Sequence, residues 1–313
     1  MSSLNSIKAV EFQDYVRDFH DQLLSLALFG FDSRNRITIL DDIKREYVLP
    51  ELVTQDLVRR GGLEGFTPLQ DAMEFDQRVL RVEDARVDLK IYPNSFEKDY
   101  RAMYREKGDN SYDLPFAGFI IQKILQKVAT EQELSLFRAD KAGTAAQTDK
   151  LVALFDGFAT IIADDQAEVT PVITPAATGA ITATNGVAAL ESVYQTLGSQ
   201  YFGMRVDVYM NHSTRIKVVQ DYRERYGKYT TEADGSIRLE IGNAVIHSVH
   251  GMPDNAILIT PRENMFYGCD READSQLINF ENEDRSIKMW MDFKMGVNYG
   301  IFHDEIIAIN DQF

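Results

Sequence analysis

The residues whose types could do chemistry are few: His247 and His250, the lone Cys269, the adjacent pair Asp164-Asp165 and the acidic run Glu281 to Asp284. Two histidines three apart meet on one face of a helix and could hold a metal there. The β-prone Val245, Ile246 and Val249 around them favour a strand, where that spacing sends them to opposite faces, so they read as poor metal partners. Cys269 sits between Gly268 and Asp270; a neighbouring carboxylate disfavours the thiolate that a nucleophile needs, and the residue reads as idle or buried. Carboxylates are abundant, 49 in all, and abundance makes any pair unspecific as an acid/base dyad. No Gly-rich run is followed by Lys-Ser or Lys-Thr, no GxGxxG follows a strand, and no GxSxG elbow exists. The reading is of a chain with no enzyme signature; no catalytic residue, cofactor or metal is assigned.

The bulk properties narrow the class. Hydrophobic residues make up 44% and charged residues 26% of 313, the balance of an ordinary folded protein with one large core or two modest ones. A formal charge of −16 and a pI near 4.8 argue against tight wrapping of nucleic acid. The aromatic residues, 11%, fall at helix or strand spacing without interleaved basic residues to stack bases. One cysteine allows no intrachain disulfide. The N-terminus has no basic stretch followed by an apolar run, and no stretch approaches the ~18 apolar residues of a membrane span. Asn211-His212-Ser213 reads as a chance sequon. The expectation is a protein folded in the cytoplasm, with no membrane partner.

The element that organises the rest is Asp113 to Ala139, expected as one long helix. Asp113 caps it and Pro115 occupies its first turn. Ala117, Ile121, Ile124 and Val128, flanked by Ile120 and Leu125, form one apolar stripe. The stripe drifts after Thr130, which predicts a bend or a different neighbour for the last turns. At 1.5 Å per residue the segment reaches roughly 40 Å, a beam for extended structure.

In chain order, residues 10–29 are a second amphipathic helix, with Phe12, Val16, Phe19, Leu23 and Leu26 on one face. It either docks on its own domain or reaches a neighbouring subunit. Arg59-Arg60-Gly61-Gly62 and Gly65 make a flexible tip. Val87, Leu89 and Ile91 alternate with Asp88 and Lys90 as a strand. Between Glu74 and Lys107 eight acidic residues face eight basic ones, Arg78, Arg81 and Arg86 among them. A segment dense in both signs suits salt-bridged contact with another surface, or a solvated hairpin. Residues 148–162 read as a helix capped by Thr148, with Leu151, Phe155, Phe158 and Ile162 inward.

Residues 166–184, rich in Thr, Pro and Gly, mark a boundary. A helix from Gly186 to Leu197 capped by Asn185, a buried strand Arg205–Met210 and a helix Ser213–Tyr226 with Ile216, Val219, Tyr222 and Tyr226 inward, stopped by Gly227, imply a small α/β domain. The final part is β-like: Ala244–Val249, Ala256–Thr260 and Ile287–Phe293, then Met295–Ile309 broken by Gly296 and Gly300. Residues 263–285 carry seven acidic residues against Arg271 and Arg285, a net of −5.

Two stretches carry a resemblance: Val79–Tyr104 leading into the long helix, and Ala244–Ile309, from AVIHSVHGMPDNAILITPRENMFYGCD to SIKMWMDFKMGVNYGIFHDEIIAI. Both resemble the major capsid proteins of tailed bacteriophages, a shell fold shared with encapsulins. The resemblance implies an α+β shell subunit with an N-terminal arm (1–35), an extended loop (36–92), a peripheral domain (93–165 and 275–313) containing the spine helix 113–139, and an axial α/β domain (166–274). It implies self-assembly as hexamers and pentamers, with a separate scaffolding protein or else a leader since removed, a portal and a maturation protease as partners, and packaged double-stranded DNA by proximity only. The residues expected at inter-subunit contacts are Phe12, Val16, Phe19, Arg59, Arg60, Gly61, Gly62, Arg78, Arg81 and Arg86. No Lys, Asn and Glu motif for covalent cross-linking can be matched. The rival readings are an encapsulin-like nanocompartment and, more distantly, a carboxylate-dependent hydrolase.

Overall fold

The structure, a computed structural model, describes residues 15–16, 18–19, 22–23, 30–54, 73–92, 116–143, 150–227, 237–238, 243–270, 278–283 and 286–313. The long helix is α1, Phe116–Arg138. Asp113 and Pro115 lie outside the described residues. Ile121 and Leu125 are fully buried, Ile120 and Val128 nearly so, and Ile124 is partly buried, as the stripe predicts. The drift after Thr130 is not a change of face. Gln132 and Glu133 continue the buried row at the same spacing, polar residues standing where an apolar pattern expects leucine, and Leu136 and Phe137 complete it.

Thr148 lies outside the described residues, and 150–162 do not form one helix. A short 3-10 turn, Leu151–Ala153, is followed by α2, Phe158–Ala167, which starts after Gly157. Gly157 donates its N–H to the Ala139 carbonyl at 2.7 Å, and a Cβ there would stand 2.6 Å from the Phe137 backbone. The chain breaks because it must run against the end of α1. Phe155, Phe158 and Ile162 are buried as expected, while Leu151 is only partly so.

Two five-stranded sheets flank this junction. The first holds β1 (Thr38–Leu40), β4 (Glu83–Ile91), β9 (Met265–Cys269), β10 (Ile278–Glu283) and β11 (Ser286–Tyr299). β11 is its axis: residues 287–295 pair antiparallel with β4, 286–291 with β10, and 295–299 with β9. Met289, Met291, Phe293, Met295, Val297 and Tyr299 alternate inward and are buried, with Lys288 and Asp292 outward. Gly296 therefore does not break a strand. It lies inside β11, where a Cβ would come within 1.9 Å of the Arg81 carbonyl oxygen.

The second sheet has the order β12 (Ala308–Ile309), β8 (Ile257–Thr260), β5 (Arg205–Met210), β7 (Asn243–Ser248), β6 (Ile237–Arg238), with β5 and β7 parallel. Helices α3 (Gly186–Gln195) and α4 (His212–Tyr226) share its core. Asn185 precedes α3 but does not cap it; its side chain accepts from Thr182 N and Oγ1. The orphan N–H of Val187 goes instead to the buried Asp221 carboxylate of α4, at 2.7 Å. A buried anion at a helix N-terminus is favourable, and it turns α4. Thr214, Val218 and Asp221 face the core, while Ile216 and Tyr226, expected inward, are 45% and 58% exposed. Gly227 ends the helix at φ 78° as expected.

The remaining strands, β2 (Glu46–Thr54) and β3 (Met73–Arg81), pair antiparallel with each other and, among the described residues, with no other strand. Of the segment expected as an extended loop, 36–92, this ribbon is the part that stands apart, since β1 and β4 belong to the first sheet. No helix among the described residues is long and apolar enough to cross a membrane.

Candidate inter-subunit surfaces

The β2–β3 ribbon is rooted in the body. Its root is a small apolar cluster of Ile43, Leu49, Leu80 and Val82, with Leu40 and Phe266 against it. Asn298 of β11 donates to the Val79 carbonyl at 2.9 Å and accepts from the Arg78 guanidinium at 3.3 Å. Arg78 also lies 4.5 Å over the Phe302 ring. On the open face of this root, Tyr47, opposite Leu80, and Val48, opposite Val79, are each 47% exposed. Pro50, opposite Gln77, removes a ladder donor, which a strand tolerates where one edge is unpaired.

The ten residues expected at contacts divide three ways. Phe12, Arg59, Arg60, Gly61 and Gly62 lie outside the described residues. Arg78 and Val16 face their own chain, Val16 packing partly buried on the main core. Phe19 is 41% exposed. Arg81 and Arg86 are open to solvent, paired loosely with Glu46 at 3.8 Å and Asp88 at 3.4 Å; exposed pairs of this kind contribute about 0–1 kcal/mol. Tyr15 and Leu23, neighbours of Phe19 at helical spacing, are buried in the same chain, and the Tyr15 ring leaves no room for a Cβ at Gly118 of α1.

Sequence reasoning missed the tie that fixes Ser33 to α1. A short 3-10 turn, Asp32–Arg36, brings Ser33 to α1, where its N–H and its Oγ–H donate to the two Glu133 oxygens at 3.0 and 2.6 Å. Burial pushes the Glu133 carboxyl up, the Ser33 bonds pull it back down, and Asp32 and Arg36 add opposed smaller effects. With its folded pKa raised, the group contributes stability below its unfolded value that is lost as pH rises through the folded one. A polar residue at a core position of an apolar row was the available signal. Ser33→Ala should remove a bond to a buried carboxylate and lower stability by about 1.5–3 kcal/mol at pH 7, with the deficit shrinking as pH falls through the raised folded pKa of Glu133; urea unfolding at pH 7 and across the acid limb checks it.

The acidic stretch 263–285 is partly neutralised. Asp270 is buried and bridged to Lys294 at 3.3 Å. Glu283 is held by Lys90 of β4 and, at 3.0 Å, by Lys288 of β11. Those bonds, Lys90's first, hold its carboxyl down at about 2. A depressed carboxyl contributes stability above its unfolded value, lost as pH falls through the folded one. Glu283→Gln should therefore melt below the unmodified chain at pH 7, and the two curves should converge between pH 4.5 and 2.

The other residues that could do chemistry are dispersed. His247 is buried, with Nε2 3.1 Å from Asp207 Oδ1, and His250 is exposed past the strand end. Cys269 is buried beneath the Leu40 carbonyl and Asp41. An open cleft of about 1480 Å³ between β4 and α1 is walled by both signs, including Arg86, Asp88, Lys127, Glu131 and Arg138. Asp164, at its rim, has its carboxyl pushed up by burial and then by Asp156 and Asp140. Among the described residues no three His, Cys, Asp or Glu side chains are grouped to hold a metal ion.

No protein-family model and no curated protein matches the sequence. Solved structures do. A satellite phage P4 procapsid that includes the size-determination protein aligns at TM-score 0.55 and 12% identity, covering 95% of this chain and 99% of that one. A cyanophage A-1(L) capsid asymmetric unit aligns at 0.55 and 11%, covering 93% of each. A virus-like particle from Pyrococcus furiosus aligns at 0.52 and 11%, covering 95% and 100%. At such identities the likeness establishes fold: this is an α+β chain with the architecture of phage capsid subunits.

Proposed function

We propose that this chain, built on the capsid fold, is the major capsid protein of a tailed double-stranded DNA phage. Copies of it close an icosahedral shell from hexamers and pentamers, in the host cytoplasm, with a separate scaffolding protein, a portal and a maturation protease as partners. The observation that carries the reading is the fold: the likeness to the satellite phage P4 procapsid chain runs over 95% of this chain and 99% of that one. A ribbon with half-exposed Tyr47 and Val48 is surface of the kind a neighbouring copy covers, and many weak contacts suffice when they act together.

The arm (1–35), the extended loop (36–92) and the charge-balanced 74–107 segment are the reaching parts, with Phe12, Phe19, Arg59 to Gly62, Arg81 and Arg86 at contacts. The net −5 of residues 263–285, turned to the lumen, would keep packaged DNA from adhering. Negative-stain microscopy of the purified chain tests the reading: closed, uniform shells are expected, and a field of small particles overturns it. Arg59→Glu with Arg60→Glu should impair shell formation and leave the subunit's melting unchanged; shells at normal yield would remove that tip from the contact.

A second reading, an encapsulin-like compartment with protein cargo, is favoured by the alignment with the Pyrococcus furiosus virus-like particle over 100% of its length. The absorbance ratio of purified particles separates the two, since a genome container retains nucleic acid.

A further inference from the structure

We propose that β4 pairs antiparallel with β4 of a second copy, about a two-fold axis through Val87, so that the first sheets of two subunits become one. The proposal rests on the self-assembly reading and names the residues of one contact within it. β4 is nine residues long and pairs without a bulge to residues 287–295 of β11. Among the described residues, the backbone hydrogen bonds of 84–89 run to β11 alone. Asp84, Ala85, Arg86, Val87 and Asp88 all line the open cleft beside α1. Five consecutive residues on one cleft present a strand edge, since a strand's face contributes only alternate ones. Folded proteins blunt such an edge with proline, a bulge or repulsive charge. β4 has no proline and no bulge, and its charges attract a copy of itself.

The outward row of β4 is Asp84, Arg86, Asp88 and Lys90, all exposed, with the Arg86 and Asp88 side chains 79% and 65% so. The signs alternate. Laid antiparallel on itself about Val87, this row sets Arg86 opposite Asp88 and Asp84 opposite Lys90, each twice by symmetry. A slip of two residues one way sets Arg86 on Arg86 and Asp84 on Asp88. The other way it sets Asp88 on Asp88 and Arg86 on Lys90. A slip of one residue sets the charged row against the apolar one. Two copies of one edge meet parallel only with one sheet turned over, which has the same result. Charge and face together leave one register. Lys90 also holds Glu283 of its own chain, so the Arg86–Asp88 pairs are the ones that select it.

The inward row gains as well. Ala85 is buried and Val87 packs partly buried on the main core, while Leu89 is 39% exposed. The same register brings Ala85 of the second copy opposite Leu89, and Val87 opposite Val87. That apolar row continues the buried Met289, Met291 and Phe293 of β11, which stand opposite Leu89, Val87 and Ala85. A contact of this kind is isologous and closes at two copies. Within a shell it links one ring of subunits to the next.

Full-length chains carrying Val87→Cys place a thiol opposite itself, and a short thiol-to-thiol cross-linker should give a covalent dimer; the natural Cys269 is buried. Asp84→Cys, opposite Lys90, should give none. In parallel, Arg86→Asp and Asp88→Arg each turn two attractive pairs repulsive and should cut assembled material about tenfold, with melting of the subunit unchanged. Both changes in one chain exchange the signs and should restore assembly to within about threefold. Shells with no Val87→Cys dimer, or a double variant no better than the singles, overturn the pairing and leave the capsid reading standing. Covalent dimers from a chain that never forms shells support the pairing and overturn the capsid reading. A chain that gives neither overturns both.

Discussion

Replacing Gly296 with alanine should abolish the folded subunit, the largest effect expected of any single methyl group here. The added Cβ would stand 1.9 Å from the Arg81 carbonyl oxygen, 2.9 Å from the Arg81 carbonyl carbon and 3.2 Å from Val82 Cα. All three are backbone atoms, so no rotamer change relieves them. The corner they belong to is fixed on both sides: Val82 donates to the Arg45 carbonyl at 3.0 Å, and Asn298 holds the Val79 carbonyl. β11 itself is paired on both edges and has nowhere to retreat. Domain stability is about 5–15 kcal/mol, and overpacking against immovable backbone belongs to the exceptional substitutions of roughly 4 kcal/mol or more. The expected result is insoluble or unfolded chain. A soluble Gly296→Ala chain melting within a few degrees of the parent would mean that the ribbon's root is not where it is described.

Phe137→Ala should cost about 3–5 kcal/mol, the range for emptying a buried aromatic site. The ring lies 5.6 Å from Phe158 of α2 and 6.1 Å from Tyr209 of β5. Gly251, following β7, exists for this approach, since a Cβ there would meet Phe137 Cβ at 2.9 Å and the Leu134 carbonyl at 2.7 Å. Phe137 thus ties the end of α1 to the second sheet directly and to the first through Phe158, whose ring lies 5.2 Å from Tyr299 of β11. Tyr209 secures the same junction by donating to the Arg36 carbonyl at 2.7 Å. The loss should appear as a lower urea midpoint, and as shells of irregular size, because the angle between the two sheets is no longer held. Phe137→Leu keeps most of the volume and should lose clearly less than the alanine variant; equal losses would exclude the packing explanation.

How much of this was legible depends on which force decided each element. α1 announced itself by apolar spacing, β5 by the β-prone Val206, Val208 and Tyr209, and the end of α4 by Gly227. Each is a local signal with one reading. The face of α4 was not legible, because a buried Asp221 capping α3 is a long-range hydrogen bond that no periodicity encodes. Gln132 and Glu133 disguised the continuity of α1 for the same reason: buried polar groups count as outward in any hydropathy pattern. Gly296 and Gly157 look alike in sequence. One is a close approach inside a strand and the other starts a helix, and only the neighbouring backbone tells them apart. Within 36–92, β1 and β4 pair with strands more than 170 residues later in the chain. Local pattern identifies β4 as a strand and cannot say what it pairs with.

The candidate contacts divide in the same way. Charge density drew attention to Arg78, Arg81 and Arg86 alike, yet Arg78 is spent on Asn298 and the Phe302 ring while the other two face solvent. Apolar spacing points Ile216 and Tyr226 of α4 inward with Val219, and the structure buries Val219 in part and exposes the other two, because spacing does not say which side of a helix its core covers.

Sedimentation velocity of the purified full-length chain tests the central claim most directly. The account predicts a boundary of megadalton particles that exchange little with free subunit. A single boundary at 35.6 kDa, persisting at high protein concentration, would contradict it.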